Sequence, residues 1–465
     1  MTSRLYLAAA HKSSGKTLVT LGLARALRRR GAAVACFKKG PDFIDPMWLR
    51  QASGRDCFNL DFNTQRPAEM QSLLTQASAS ADITLIEGNK GLHDGLDPQG
   101  ADANAALAKQ LGAPVVMVID TRGMTRSVAP LLLGFQAFDP AVQFAGVILN
   151  RVGGERHERK LRAALQTYTD LPVLGALPNC DALRIDERHL GLIPSYEHAD
   201  AERCVDRIAQ QIAQSVDLHA LRAAAGQAAA LPPTAAAPPP PAVAARPVRI
   251  AIARDTAFGF YYPDDLLGLA RAGAQLLPFS PLRDRRLPDC DGLLIGGGFP
   301  ETHLQPLHAN TAIRHDIRQQ LLHGLPAYAE CGGLMYLCRS LRWRDRQADM
   351  VGVIPADVTL EPRPVGRGYV RIRQTDHHPW PAATQAPLAA HEFHHSRLSA
   401  LPSDSRFAYH VARGHGIDGR HDGLLIHRLL ASYAHLRSVA GNDWTQRFVA
   451  YVRRTARHRA TGDRR

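Results

Sequence analysis

Leu5-Tyr6-Leu7-Ala8-Ala9-Ala10-His11-Lys12-Ser13-Ser14-Gly15-Lys16-Thr17-Leu18-Val19-Thr20 is an apolar run, a loop of small residues, Gly-Lys-Thr and an amphipathic stretch. That order predicts a buried strand, a phosphate-binding loop and a helix. Backbone N–H groups of the loop, that of Gly15 among them, point at phosphate oxygens. Lys16 adds a cation, and Thr17 offers its hydroxyl to the Mg²⁺ that accompanies a triphosphate. Leu18, Leu21, Ala24 and Leu27 keep helical spacing downstream. Arg28 to Arg30 suit the negative end of a helix dipole, and Gly31 stops the helix. Ala10 departs from the pattern, standing where a glycine usually opens the loop, and Lys12 adds a second cation. Gly-Lys-Thr also occurs at helix starts by chance, but the strand–loop–helix setting favours ATP binding.

Outward from this loop, residues 34–37 read as a second strand leading into Lys38-Lys39-Gly40-Pro41-Asp42-Phe43-Ile44-Asp45-Pro46. Doubly wound sheets place ligands at the carboxyl ends of their strands. Lys38, Asp42 and Asp45 therefore read either as contacts to phosphate, metal and substrate or as parts of a solvated turn. A third strand over 83–86 ends in Glu87-Gly88-Asn89-Lys90-Gly91-Leu92-His93-Asp94-Gly95. An acid such as Glu87, at a strand tip beside a phosphate loop, is placed to bind Mg²⁺. Apolar runs at 114–120 and 144–151 read as buried strands. Asn150, at the end of the second, reads as an adenine contact or as a turn former. Strands alternating with helices over residues 1 to 218 predict an α/β domain with a parallel sheet.

The 465 residues, 45% hydrophobic, suffice for two or three domains. Residues 220–247 are alanine and proline, with prolines at 238–241, and read as a semi-rigid linker. It separates a domain over 1–219 from a second over 248–456, followed by a basic tail at 457–465; the basic stretch from Arg453 is expected to be disordered. No apolar run reaches the ~18 residues of a membrane span. No basic-then-apolar leader precedes the phosphate loop, so a cytoplasmic location is expected. The seven cysteines contain no Cys-x-x-Cys, which argues against a disulfide framework or structural zinc. The net charge of +13 comes mostly from dispersed arginine, with no basic stripe interleaved with aromatics. Nucleic acid is not an expected partner; a ligand rich in carboxylates or phosphates suits the charge.

In the second half, strands at 248–253 and 292–295 lead to Gly296-Gly297-Gly298-Phe299-Pro300-Glu301. Then comes Leu325-Pro326-Ala327-Tyr328-Ala329-Glu330-Cys331-Gly332-Gly333-Leu334. A cysteine flanked by small residues between a strand and a helix has the logic of a nucleophile elbow, a tight turn that exposes the thiol. N–H groups of Gly332 and of Gly297 and Gly298 are candidates for an oxyanion hole. His435 is the best candidate base, with His391, His394, His395 and His427 as rivals. His391-Glu392-Phe393-His394-His395 fits the zinc-protease pattern, but that pattern works only on a helix, and this stretch is short and proline-punctuated.

With both halves read, the chain resembles the cobyrinic acid a,c-diamide synthase family, glutamine-dependent amidotransferases of tetrapyrrole biosynthesis. The resemblance is carried by Ser14-Gly15-Lys16-Thr17, residues 37–46, Glu87-Gly88 with Gly91-Leu92 and Asp94-Gly95, and residues 146–152. In the second half it is carried by residues 296–301, 329–333 and 391–394. It implies a dethiobiotin-synthetase-like P-loop domain fused to a class I glutamine amidotransferase-like α/β domain. By the resemblance, Cys331 attacks glutamine, His435 raises the nucleophilicity of the cysteine, and ATP·Mg²⁺ phosphorylates a carboxylate, after which ammonia displaces phosphate from the acyl phosphate. Lys16, Thr17, Lys38, Asp42 and Glu87 surround the phosphates and metal, while Asp45 and Asp94 face the substrate or intermediate. The implied substrates are glutamine and a polycarboxylate tetrapyrrole; homodimerisation stays open.

Two departures bear on the chemistry. Arg437 stands where such glutaminases commonly place a Glu, so a Cys-His pair without the third member is expected. Asn89-Lys90 and His93 replace apolar or aromatic residues, which keeps sirohaem or a metal sirohydrochlorin open as an alternative substrate. A partition- or metallocentre-type ATPase and a cobyric-acid-type synthase are the remaining alternatives.

Overall fold

The computed structural model describes residues 3–183, 185–188, 191–198, 200–232, 246–381 and 386–462. The chain divides into two compact units between residues 237 and 238. In the first, β1 (Ser3–Ala9), β2 (Val34–Lys39), β3 (Cys57–Leu60), β4 (Ile83–Glu87), β5 (Val115–Asp120), β6 (Phe144–Val152) and β7 (Val173–Pro178) form one sheet. Their order is β3-β2-β4-β1-β5-β6-β7, and every pairing is parallel. Leu5, Leu7, Val116, Val118 and Leu149 are fully buried, as a sheet covered on both faces requires. Helix α1 (Lys16–Arg29) follows β1 and buries Val19, Leu23 and Leu27 against it, with Arg28 and Arg29 in its last turn.

Register decides where the chemistry falls. Leu7 of β1 and Lys38 of β2 both lie abreast of Glu87 at the tip of β4. The loops after β1, β2 and β4 therefore emerge side by side at the carboxyl edge of the sheet.

The second unit holds a nine-stranded sheet. Five parallel strands run in the order Ala274–Phe279, Val248–Ala253, Gly292–Ile295, Ala327–Glu330 and Leu429–Ser432. The antiparallel strands His421–Ile426, Arg406–Arg413, Gly366–Gln374 and Leu388–His394 continue it. Glu330 lies abreast of Ser432, so residues 433–436 pass directly beside the segment that follows Glu330.

Two expectations need correction. The Ala/Pro stretch does not begin at residue 220 as a linker. Leu218–Gly226 is a helix capped by the Asp217 side chain, with Leu221 and Ala225 fully buried. Alanine is the strongest helix former, and the first proline comes only at Pro232, so composition alone hid the helix. Residues 233–245, with the four consecutive prolines, lie outside the described residues. Nor is the stretch from Arg453 irregular: the last helix runs Trp444–Gly462, anchored by fully buried Phe448, Val449 and Val452. Among the described residues no helix is long and apolar enough to cross a membrane.

Candidate active site

The first unit gathers its candidate residues around the phosphate loop. Ser13 and Gly15 take left-handed backbone (φ 61° and 91°), which turns the loop's N–H groups inward. A Cβ on Gly15 would lie 2.1 Å from Asn150 Nδ2, so that position admits only glycine. Asn150 donates Nδ2–H to the Ser14 carbonyl at 2.9 Å, so its amide helps fix the loop. Lys16 is buried and donates to the carbonyl of Lys90 at 2.6 Å. Burial and then the charge of Lys38 bring it down to about 8. Lys12 is exposed, with no side-chain partner among the described residues.

Lys38 is the hub. Its Nζ lies 2.5 Å from Asp45 Oδ2, 2.6 Å from Glu87 Oε1 and 4.0 Å from Asp42 Oδ2. The Thr17 hydroxyl donates to Glu87 Oε1 at 2.6 Å and lies 3.2 Å from Asp45 Oδ2. Burial, opposed by Lys38, raises Glu87 above the usual carboxylate range. Asp42 is pushed up to about 7, first by desolvation and then by the charge of Asp45. Its Oδ1 accepts the N–H groups of Ile44 and Asp45, capping α2 (Ile44–Ser53). Asp94 is exposed and accepts the Gly91 N–H at 2.8 Å, which closes the 87–95 loop.

The residues that departed from the resemblance have internal work. Asn89 accepts from Lys39 Nζ at 3.3 Å, and its backbone is clamped by Asn104 through bonds of 2.6 and 3.1 Å. His93 stacks on Phe135 with centroids 5.7 Å apart.

In the second unit, Cys331 joins the strand Ala327–Glu330 to the helix Gly332–Leu337 at φ 47°, ψ −102°. That is the strained turn of a nucleophile elbow. Cys331 is 8% exposed and its Sγ lies 3.7 Å from the Phe393 carbonyl, so the elbow does not open the thiol to bulk water, contrary to expectation. His435 hydrogen-bonds to Cys331, and its Nδ1 lies 3.2 Å from Glu330 Oε2. Burial would depress this imidazole, but the hydrogen bonds and charges of Cys331 and Glu330 outweigh it and lift His435 to about 10.

Glycines crowd the sulfur. A Cβ on Gly332 would meet the Gly298 carbonyl at 2.8 Å, and one on Gly297 would meet His435 Cε1 at 2.7 Å. Gly332 opens its helix, where N–H groups have no intrahelical acceptor. The rival histidines are otherwise placed. His391 stacks on His435 with centroids 4.8 Å apart. Burial and the charges of His435 and Arg437 hold His391 far below its ordinary value, so it is neutral. His394 stacks on Tyr433, His395 contacts the Glu361 carbonyl, and His427 turns a hairpin at φ 53°. His391 to His394 lie on a strand, Leu388–His394, so the zinc-protease pattern lacks its helix.

Glu330 is a site residue that sequence reasoning misses. A signal was there: an acid alternating with Tyr328 on an otherwise apolar buried strand needs a partner. Finding that partner required the pairing of Glu330 with Ser432, three residues before the histidine.

A phosphate loop faced by acids in one unit and a cysteine–histidine elbow in the other define a glutamine-dependent carbon–nitrogen ligase. Residues 6–193 match the CobQ/CobB/MinD/ParA nucleotide binding domain, and residues 249–442 match the CobB/CobQ-like glutamine amidotransferase domain. The chain belongs to the cobyrinate a,c-diamide synthase family. It is 46% identical over 446 residues to the cobyrinate a,c-diamide synthase of Magnetococcus marinus, covering 95% of each chain. It is 38% identical to that of Methanosarcina acetivorans, covering 94% of this chain and 93% of the relative. To that of Archaeoglobus fulgidus it is also 38% identical, covering 96% of each.

Proposed function

We propose that this protein converts the a and c carboxylate side chains of a cobyrinate-type tetrapyrrole into amides, with glutamine as nitrogen donor and ATP as the activating nucleotide. The observation that carries the reading is the presence in one chain of both the Cys331–His435 pair and the Lys16–Lys38–Glu87 cluster.

In the glutaminase unit the Cys331 sulfur attacks the glutamine side-chain carbonyl. N–H groups of Gly332, Gly297 and Gly298 receive the oxyanion. His435 gives the leaving nitrogen its proton, ammonia departs, and water resolves the thioester to glutamate.

In the synthetase unit a carboxylate is a poor electrophile until one of its oxygens becomes a good leaving group. Substrate carboxylate oxygen attacks the γ-phosphorus, the bond to the bridging oxygen breaks, and ADP leaves. Ammonia then attacks the acyl phosphate and expels phosphate. Lys16 and Lys38 balance the charge that grows on the phosphate oxygens. Asp45, beside Lys38, and Asp94, in the 87–95 loop, orient the substrate or the acyl phosphate.

Glu87 Oε2 is buried with no hydrogen-bond partner among the described residues, next to the Thr17 hydroxyl, a donor set that fits Mg²⁺. Thr17, Glu87 and Asp42 would hold the ion, which when bound neutralises phosphate charge.

Parallel incubations with cobyrinic acid and sirohaem, each with ATP, Mg²⁺ and glutamine, test the proposal. Mass spectrometry should count two amides on cobyrinic acid. Four amides, or conversion of sirohaem alone, would overturn the substrate assignment; no glutamate release would overturn the amidotransferase reading.

A further inference from the structure

Arg437 occupies the place two residues after His435, yet the histidine is not left without a carboxylate. We infer that Glu330, the residue immediately before the nucleophile, is the third member of the catalytic group, a positioning residue that holds His435 with Nε2 toward Cys331. This rests on the assignment of Cys331 and His435 as nucleophile and base.

The geometry is that of an orienting carboxylate. Glu330 Oε2 takes His435 Nδ1 at 3.2 Å, while Oε1 accepts the Leu436 N–H at 3.0 Å and the Tyr328 hydroxyl at 2.6 Å. One carboxylate thus grips both the imidazole and the backbone one residue beyond it. With Nδ1 committed, Nε2 is the nitrogen left for the sulfur, as in the serine triad where an acid fixes the tautomer.

Among the described residues no other charged group contests the role. Arg437 is buried and turned away, donating to Asp264 Oδ2 at 2.8 and 3.1 Å and lying over the Tyr262 ring. His391 stacks on the ring face as a neutral group. Asp422 is consumed by the N–H groups of Tyr433 and Ala434 and by the Ser432 hydroxyl. Asp265 accepts from Ser438 N–H.

The arrangement also has a local logic. Because Glu330 and Cys331 are adjacent, the elbow that aims the sulfur also aims the orienting acid. Residues 433–436, fixed by the Leu429–Ser432 pairing, bring the imidazole between them.

The test is Glu330→Gln, isosteric and still able to accept from Tyr328 and Leu436. Its amide would donate to Nδ1 and lock the unproductive tautomer. Glutaminase kcat should fall on the order of 10²–10⁴-fold, by analogy with the Asp→Asn change in the serine triad, with the KM for glutamine changed less than about threefold. Ammonia-supported amidation should not change. Cys331 alkylation by iodoacetamide should slow, because Nε2 is no longer held toward the sulfur. Glu330→Asp should recover part of kcat.

A folded Glu330→Gln protein with wild-type kcat and an unchanged alkylation rate would overturn the inference. If that variant does not fold, ¹⁵N spectra of the wild type decide. An Nδ1–H hydrogen-bonded to a carboxylate at pH 8 is expected, and a ring whose Nδ1 carries no proton at that pH overturns it. Glutamate release by Cys331→Ala would instead overturn the nucleophile assignment on which all this rests.

Discussion

Cys331 pays for its orientation with backbone strain. At φ 47° and ψ −102° it stands where L-residues are rarely found, and such residues cost ~1–3 kcal/mol. Glycine visits such conformations freely. Cys331→Gly should therefore be more stable than Cys331→Ala by about 1 kcal/mol, read as a higher thermal midpoint of the second unit, although both lack glutaminase activity. Equal midpoints would mean that the elbow relaxes without cost. His435 contributes to the pH dependence of the same unit. Its folded value of about 10 exceeds the ordinary histidine value, so its protonation contributes stability that is complete below about pH 6.5. That contribution is lost as pH rises through 10. Wild-type stability should decline between pH 7 and 10, and His435→Asn should flatten the decline. Glutamine hydrolysis should hold level above neutrality and fall as pH approaches 10. A midpoint curve with the same slope in both proteins would show that His435 is not charged in the folded state.

At the scale of elements, the phosphate loop is built on a close approach at Gly15, whose left-handed backbone strains any side chain. Gly15→Ala would force a Cβ against Asn150 Nδ2 at φ 91°, displacing the amide that fixes Ser14. At ~1–2 kcal/mol for left-handed backbone alone, and tenfold per ~1.4 kcal/mol, the KM for ATP should rise at least about tenfold while glutamine hydrolysis is unchanged. The strand–loop–helix unit was legible because Leu5 to Thr20 combine an apolar run, a small-residue loop and helical spacing, all local signals. The Cys331 elbow was legible for the same reason. What stayed hidden depends on partners distant in sequence. The Glu330–His435 bond spans 105 residues, and the Lys38 bridge between Asp45 and Glu87 needs the register of β2 on β4. The helix Leu218–Gly226 was hidden differently, since alanine beside proline reads as linker until one counts where the first proline falls.

For the molecule as a whole, two chemistries with no shared residue occupy separate units, and the nitrogen source separates them. Cys331 touches only glutamine in the proposed cycle, so Cys331→Ala should abolish glutamine-dependent amidation yet keep amidation from added ammonium salt. The activity with ammonia should rise with pH toward the ammonium pKa, because only neutral ammonia is a nucleophile. Lys16→Ala removes a cation held in the loop by the Lys90 carbonyl, a bond that a phosphate oxygen would replace on binding. It should lose amidation with either source while basal glutamine hydrolysis persists. The two variants together discriminate sharply. Mixing them should restore no activity if ammonia is passed within one chain, and should restore it if ammonia escapes and is recaptured from solution. Equal loss of both nitrogen sources in Cys331→Ala would mean that the cysteine serves the synthetase chemistry as well, and the division of labour proposed here would fail.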